Sequence, residues 1–306
     1  MDLGGKGGYR MGRLSLLAAA FLLLPATAAK AQVSGVLLDG RALNVALFEA
    51  AQKSRTEEVI GFLKQGASIV ARNRFGNTAF MLAARSARLD TVKVLLEAGS
   101  KINQRNLIGS TALLRAAVSG RGKTVKFLIA AGADVNLHNS KNVSVLAAVA
   151  YNGDEDIVRL VLDKGAEIDV IDNAQKSAIV YAAGRGFAPI VGLLLKAGID
   201  VNKRYGNALT VLMWASGYSD DVPSREGVET VRLLIDSGAE VDSRDNRGRT
   251  ALMIAAERGH ASVAELLLKA GAAIGLEDKD GKTAHDLARD SGDAEVLRAL
   301  DGAGAG

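Results

Sequence analysis

The chain has 306 residues, of which 48% are hydrophobic and 24% charged, with 38 Lys and Arg set against 34 Asp and Glu. The formal charge is +4, but without the basic first 31 residues it is +1, which gives no global reason to expect nucleic-acid binding. The absence of cysteine excludes disulfides, thiol catalysis and thiolate metal sites.

The first elements concern targeting. Lys6, Arg10 and Arg13 precede an apolar run of 13 residues from Leu14 to Ala26, and Ala29-Lys30-Ala31 follows. These are the three parts of a cleavable signal peptide, predicted over residues 1–31 with cleavage between Ala31 and Gln32. The run falls short of the ~20 residues that span a bilayer, so no membrane anchor is expected after cleavage. The expected location is periplasmic, or alternatively secreted. Residues 1–31 carry four bases and one acid, so most of the positive charge belongs to the precursor and cleavage leaves +1. Residues 32–41 read as a short segment ahead of the folded part.

From residue 42 to 306 one phrase recurs. Hydroxyl-led helix starts stand at Thr78, Thr111, Ser144, Ser177, Thr210, Thr250 and Thr283, spaced by 33 residues except for one step of 40. A fixed period in this range predicts stacked supersecondary units. Each leading hydroxyl is placed to cap its helix. A second, apolar-rich helix follows in each unit, as in Thr91-Val92-Lys93-Val94-Leu95-Leu96. It stops at a glycine: Gly99, Gly132, Gly165, Gly198, Gly238 or Gly271. Tails such as Ile102-Asn103 and Val135-Asn136 lead into turns rich in Asn, Asp and Gly. A degenerate copy near residue 45 (Val45-Ala46-Leu47-Phe48-Glu49-Ala50-Ala51, ending at Gly66) makes eight. The extreme C-terminus, Asp301 to Gly306, is expected to fray.

These motifs resemble the ankyrin repeat over nearly the whole chain after its first forty residues. The resemblance implies an all-α repeat solenoid of helix-turn-helix units joined by β-hairpin-like loops, and a rigid concave face that holds a protein partner. The family's Pro after the Thr is Ala or Val here. Its His is replaced by Met81, Leu114, Ala147, Val180, Met213, Met253 and Asp286, so the Thr–His bonding common in the family cannot form.

Carried over by position, the face has hairpin-tip candidates Arg74, Phe75, Leu107, Ile108, Lys141, Lys176, Arg247 and Arg249. Its helix-end candidates are Arg85, Tyr151, Arg185 and Tyr218. Phe75, Leu107 and Ile108 are apolar where a turn is normally polar. They read either as an interaction patch or as tips packed on one another. The basic excess reads as a face for an acidic protein or as ordinary solvated surface. The 40-residue step places about seven extra residues in Gly217–Arg225, read as a surface loop that could also serve binding. Trp214 just before it, and Met81, Met213 and Met253, are expected in the core.

No catalytic constellation appears. His138, His260 and His285 fall at non-matching positions, so no metal site is expected. No nucleophile elbow, P-loop or dinucleotide fingerprint is present. Asp154 and Asp156 read as helix-capping residues. The expectation is a non-enzymatic binding module without cofactor: an adaptor, stabiliser or inhibitor in a bacterial envelope. The alternatives are an exported effector of host proteins and a binder of a small molecule or cell-wall fragment that would use Trp214, Tyr218 and the inserted loop.

Overall fold

The computed structural model describes residues 32–33, 36–37, 39–86, 88–218, 222 and 224–304. The predicted signal peptide, including Ala31, lies outside them. Gln32, the predicted first mature residue, lies in β1 (Gln32–Val33), which pairs antiparallel with β2 (Val36–Leu37).

Eight helix pairs follow. The first helices of each pair are α1 (Gly40–Gln52), α3 (Ala79–Ala84), α5 (Ala112–Val118), α7 (Val145–Asn152), α9 (Ala178–Ala183), α11 (Val211–Ser216), α13 (Ala251–Glu257) and α15 (Ala284–Ser291). Their partners are α2 (Thr56–Lys64), α4 (Leu89–Glu97), α6 (Gly122–Ala130), α8 (Glu155–Asp163), α10 (Ala188–Lys196), α12 (Ser224–Asp236), α14 (Ala261–Lys269) and α16 (Ala294–Gly304). First helices pack on the neighbouring first helices and second helices on second helices, so each unit touches the units before and after it. The fold is an all-α repeat solenoid.

Local chemistry explains the regularity. Thr78, Thr111, Ser144, Thr210, Thr250 and Thr283 each accept the backbone N–H three residues on. Ser177 does not; its buried hydroxyl has no hydrogen-bond partner among the described residues. The first helices from α3 to α13 are mostly buried. Phe80, Leu113, Leu146 and Ile179 are at most 1% exposed, as are Met81, Met213 and Met253. Where the family's His is missing, three substitutes take up the cap residue's own N–H: Met213 Sδ, Met253 Sδ and Asp286 Oδ2. Second helices end at Gly66, Gly99, Gly132, Gly165, Gly198, Gly238 and Gly271, all at positive φ, where a Cβ would be strained.

The Asn/Asp tails join one unit to the next. Asn103, Asn136, Asn202 and Asp242 each accept a backbone N–H of the following unit. Each hairpin is then shaped by an Asn or Asp five residues before the cap. Asn73, Asn106, Asn139, Asp172, Asp245 and Asp278 accept from the N–H groups two and four residues ahead, at 2.8–3.2 Å. Tyr205 stands in this place in the 40-residue unit, and it cannot bond its own turn in this way. There β3 (Arg204–Tyr205) pairs with β4 (Leu209–Thr210) around left-handed Asn207 and Ala208, while the Tyr205 hydroxyl bonds Asp169.

Four expectations change. The first helix begins at Gly40, five residues ahead of position 45, because Asp39 accepts the Ala42 N–H as its cap. Ser224 and Arg225 are not loop: they open α12, whose 13 residues exceed the nine of α2, α4, α6, α8, α10 and α14. The C-terminus is helical through Gly304, because Val296 and Leu300 are fully buried and anchor α16. Trp214 is only half-buried, and it faces a cavity described below.

Candidate functional site

Hairpin tips and first-helix ends form one face. Its backbone is continuous: neighbouring tips are joined by hydrogen bonds from Leu107 N–H to Phe75 O, Ser140 to Ile108, Asn173 to Lys141, Gly206 to Gln175, Asn246 to Asn207 and Lys279 to Arg247. Gly76 permits the approach, since a Cβ there would sit 2.8 Å from the Leu107 nitrogen. The tips are thus joined through backbone, with Asn106 also donating to the Asn77 side chain, while three apolar side chains project outward. Phe75 is 55% exposed, Leu107 74% and Ile108 55%. Val118 and Tyr151, at first-helix ends, are also exposed.

The basic residues divide into two groups. Arg74, Arg85, Lys141, Lys176 and Arg258 make no salt bridge with a carboxylate among the described residues. Arg74 lies over the Phe75 ring at 4.7 Å. Arg85 is exposed near Arg115, whose guanidinium is pushed down to about 10 by burial first and then by the charge of Arg85. Arg247 and Arg249, by contrast, are engaged internally. Arg247 pairs with Asp245 at 3.1 Å. Arg249 is 12% exposed and bridges Glu257 at 2.6 Å and Asp278 at 3.3 Å. Burial opposes its charge, but the two carboxylates outweigh that and hold its pKa above the usual value. Arg249 is therefore a structural bridge between units, not a free partner-binding cation.

Tyr218 also departs from expectation. It is 5% exposed and stacked on His260, with ring centroids 3.9 Å apart and 7° between planes. Gly227 of α12 makes the room: a Cβ there would fall 2.2 Å from the ring. Val222 likewise seats against Gly186 of the preceding unit. The insertion is thus packed into the array at Tyr218, Val222 and the start of α12.

The sequence reading missed the register four residues after each cap. Leu82, Ala148 and Ile254 are buried there, whereas Arg115, Tyr181 and Trp214 reach the face. A bulky polar or aromatic residue among aliphatic counterparts was the available signal. Tyr181 donates to Asp172 at 2.5 Å and meets Tyr151 edge-on at 5.8 Å. Burial and then Asp172 raise its pKa. Together with Trp214, Lys176, Arg185 and Arg258 these rings line a cavity of ≈ 340 Å³.

Matches to the family described as Ankyrin repeats (3 copies) cover residues 47–139, 113–205, 145–224 and 222–305. The chain belongs to the ankyrin-repeat family. Ankyrin repeat domain-containing protein 63 of Mus musculus is 48% identical over 56 residues, which is 18% of this chain and 14% of that protein. Its Homo sapiens counterpart is 57% identical over 35 residues, 11% of this chain and 9% of that protein. The match thus spans about a seventh or less of the length of these curated relatives. Ankyrin repeats generally mediate protein–protein interaction, and the family is generally non-enzymatic. Among the described residues no group of three or more His, Cys, Asp or Glu could hold a metal, and no helix is long and apolar enough to cross a membrane. His138 offers its carbonyl to Arg105, and His285 pairs with Asp301. Asp154 caps α8 as expected.

Proposed function

We propose that this ankyrin array is an exported, non-catalytic scaffold that holds an acidic, partly apolar protein in the bacterial envelope, as adaptor, stabiliser or inhibitor. The carrying observation is the exposed apolar ridge of Phe75, Leu107 and Ile108, flanked by Arg74, Arg85 and Lys141 without carboxylate partners among the described residues. A monomer surface with a contiguous apolar patch rimmed by charge is suited to a partner. The cations favour acidic surfaces at short range and lose that preference as salt rises. The tip-to-tip backbone bonds support binding with little rearrangement. Export rests on the three-part pattern of residues 1–31.

Two measurements test this reading. Photo-crosslinking from Leu107 in cells of the native host, with fractionation and N-terminal mass spectrometry, should capture an acidic protein outside the cytoplasm and find Gln32 as first residue. Capture should fall when Arg74, Arg85 and Lys141 are changed together to Glu. Undiminished capture of the same protein would refute the charged-face reading, and an uncleaved cytoplasmic chain would refute export.

A further inference from the structure

The cavity lined by Tyr151, Tyr181, Trp214, Lys176, Arg185 and Arg258 lies apart from the apolar ridge, at the ends of α7, α9, α11 and α13. At ≈ 340 Å³ it falls at the lower end of small-ligand sites. Its walls are aromatic and held in place. Tyr181 is fixed by its bond to buried Asp172, Tyr151 stands edge-on against Tyr181, and Tyr218, which also lines the cavity, is held by its stack on His260. Lys176 Nζ lies 4.4 Å above the Trp214 ring and 5.7 Å from that of Tyr181. The Arg185 guanidinium lies 4.9 Å above Tyr151 and 5.7 Å from Phe187.

Two consequences follow for a ligand's charge. Ring faces that would attract a ligand cation are already covered by the protein's own cations, so the site is poorly suited to an ammonium group. A ring orients Lys176 without cancelling its charge, and neither Lys176 nor Arg258 meets a carboxylate among the described residues. The described lining itself carries no Asp or Glu. Between aromatic walls, where water is partly excluded, such a cation attracts an anion more strongly than it would in bulk solvent. With those faces covered, the edges of the rings remain for a flat apolar body met edge-on.

We propose that this cavity is a binding site for a small organic anion of the aryl carboxylate class, its carboxylate on Lys176 and Arg258 and its ring against Tyr151, Tyr181 and Trp214. Trp214 is the chain's single tryptophan, so its emission reports on this site alone. The purified full chain would be titrated with phenylacetate, with its neutral amide phenylacetamide, with acetate, and with the peptide acetyl-Gly-Ser-Phe bearing a free carboxylate. Each would be followed by Trp214 emission and by calorimetry to ~50 mM, since fragment-sized ligands bind weakly.

Phenylacetate should bind saturably, with phenylacetamide and acetate at least tenfold weaker. Lys176→Gln should lower phenylacetate affinity about tenfold, a loss of ~1.4 kcal/mol, at unchanged melting temperature, and Lys176→Arg should restore most of it. The proposal is overturned by the absence of a saturable response to phenylacetate, by equal binding of the amide, or by unchanged affinity in Lys176→Gln. A tenfold preference for the peptide would also overturn it, by making the site one for a protein terminus. None of these outcomes depends on the partner proposed for the apolar ridge.

Discussion

Gly227 sits where two physical rules give opposite signs. It lies within α12, where replacing a helical glycine by alanine normally stabilises by ~1 kcal/mol. Yet the added Cβ would stand 2.2 Å, 2.5 Å and 2.7 Å from three carbons of the Tyr218 ring. That ring is itself pinned: it is 5% exposed and stacked on His260, whose Nδ1 is 2.9 Å from the Ser216 carbonyl oxygen. Forcing a methyl into such a packed site costs ~1–3 kcal/mol, and a 2.2 Å approach to a pinned ring belongs in the upper half of that range, ~2–3 kcal/mol, so after the helix gain of ~1 kcal/mol Gly227→Ala should be a net destabilisation of about 1–2 kcal/mol. Removing the ring removes the conflict. Tyr218→Ala alone should cost ~3 kcal/mol, and in that background Gly227→Ala should turn favourable by up to ~1 kcal/mol. Urea unfolding of the four chains, followed by far-ultraviolet circular dichroism and by Trp214 emission, gives the coupling directly. A Gly227→Ala chain as stable as the parent, or additive effects in the double variant, would refute the packing of the insertion described above.

Three further outcomes are expected. Arg249→Glu should cost ~3–5 kcal/mol, because it leaves Glu257 and buried Asp278 without their cation; Arg74→Glu and Lys141→Glu should each stay within ~0.5 kcal/mol of the parent in thermal melts. Burial opposes the charge of Asp278, but the N–H groups of Lys282 and Asp280 and then Arg249 hold its pKa below the ordinary value. Its contribution is therefore complete above about pH 4, the unfolded value. It is lost as pH falls through the depressed folded value, so Asp278→Ala should cost ~3 kcal/mol at pH 7 and show a flatter melting-temperature profile below pH 4 than the parent. Thr111→Ala should cost ~1 kcal/mol through its lost cap bond, and Ser177→Ala, which has none to lose, less than half as much by urea midpoint.

The stack was legible because each unit repeats the same local decisions. A capping hydroxyl, buried aliphatic residues, a left-handed glycine and an Asn or Asp at the hairpin entrance all agree with one another. The exposed ridge was legible as position but not as state, since a turn sequence does not say whether Phe75 and Leu107 pack or project. The tip-to-tip backbone bonds decide that, and backbone bonds leave no residue signature. Arg249 was misread for a related reason. Glu257 lies 8 residues on, at the far end of the helix that Arg249 precedes, and Asp278 lies 29 residues on in the next unit, which only stacking brings within reach. Tyr218 looked exposed by register, but the glycine that accommodates its ring lies in another helix. The cavity was missed because Tyr181 and Trp214 occupy a position that is aliphatic in other units, and each residue taken singly looks like core.

The hydrogen bonds between hairpin tips also set how the array can bend. Along the tip edge, successive units are joined by short directional bonds that lengthen only at steep cost. Between the second helices themselves they are joined by apolar side-chain packing, which is non-directional and tolerates small sliding, with the Asn and Asp tails adding bonds only at the helix ends. A beam built this way has its neutral line at the stiff edge. Thermal flexing or a pulling force fans the second helices apart or together while the spacing of the tips stays nearly constant. Whatever rests on the tips meets a ruler of nearly fixed pitch, and the molecule yields more readily on the opposite side.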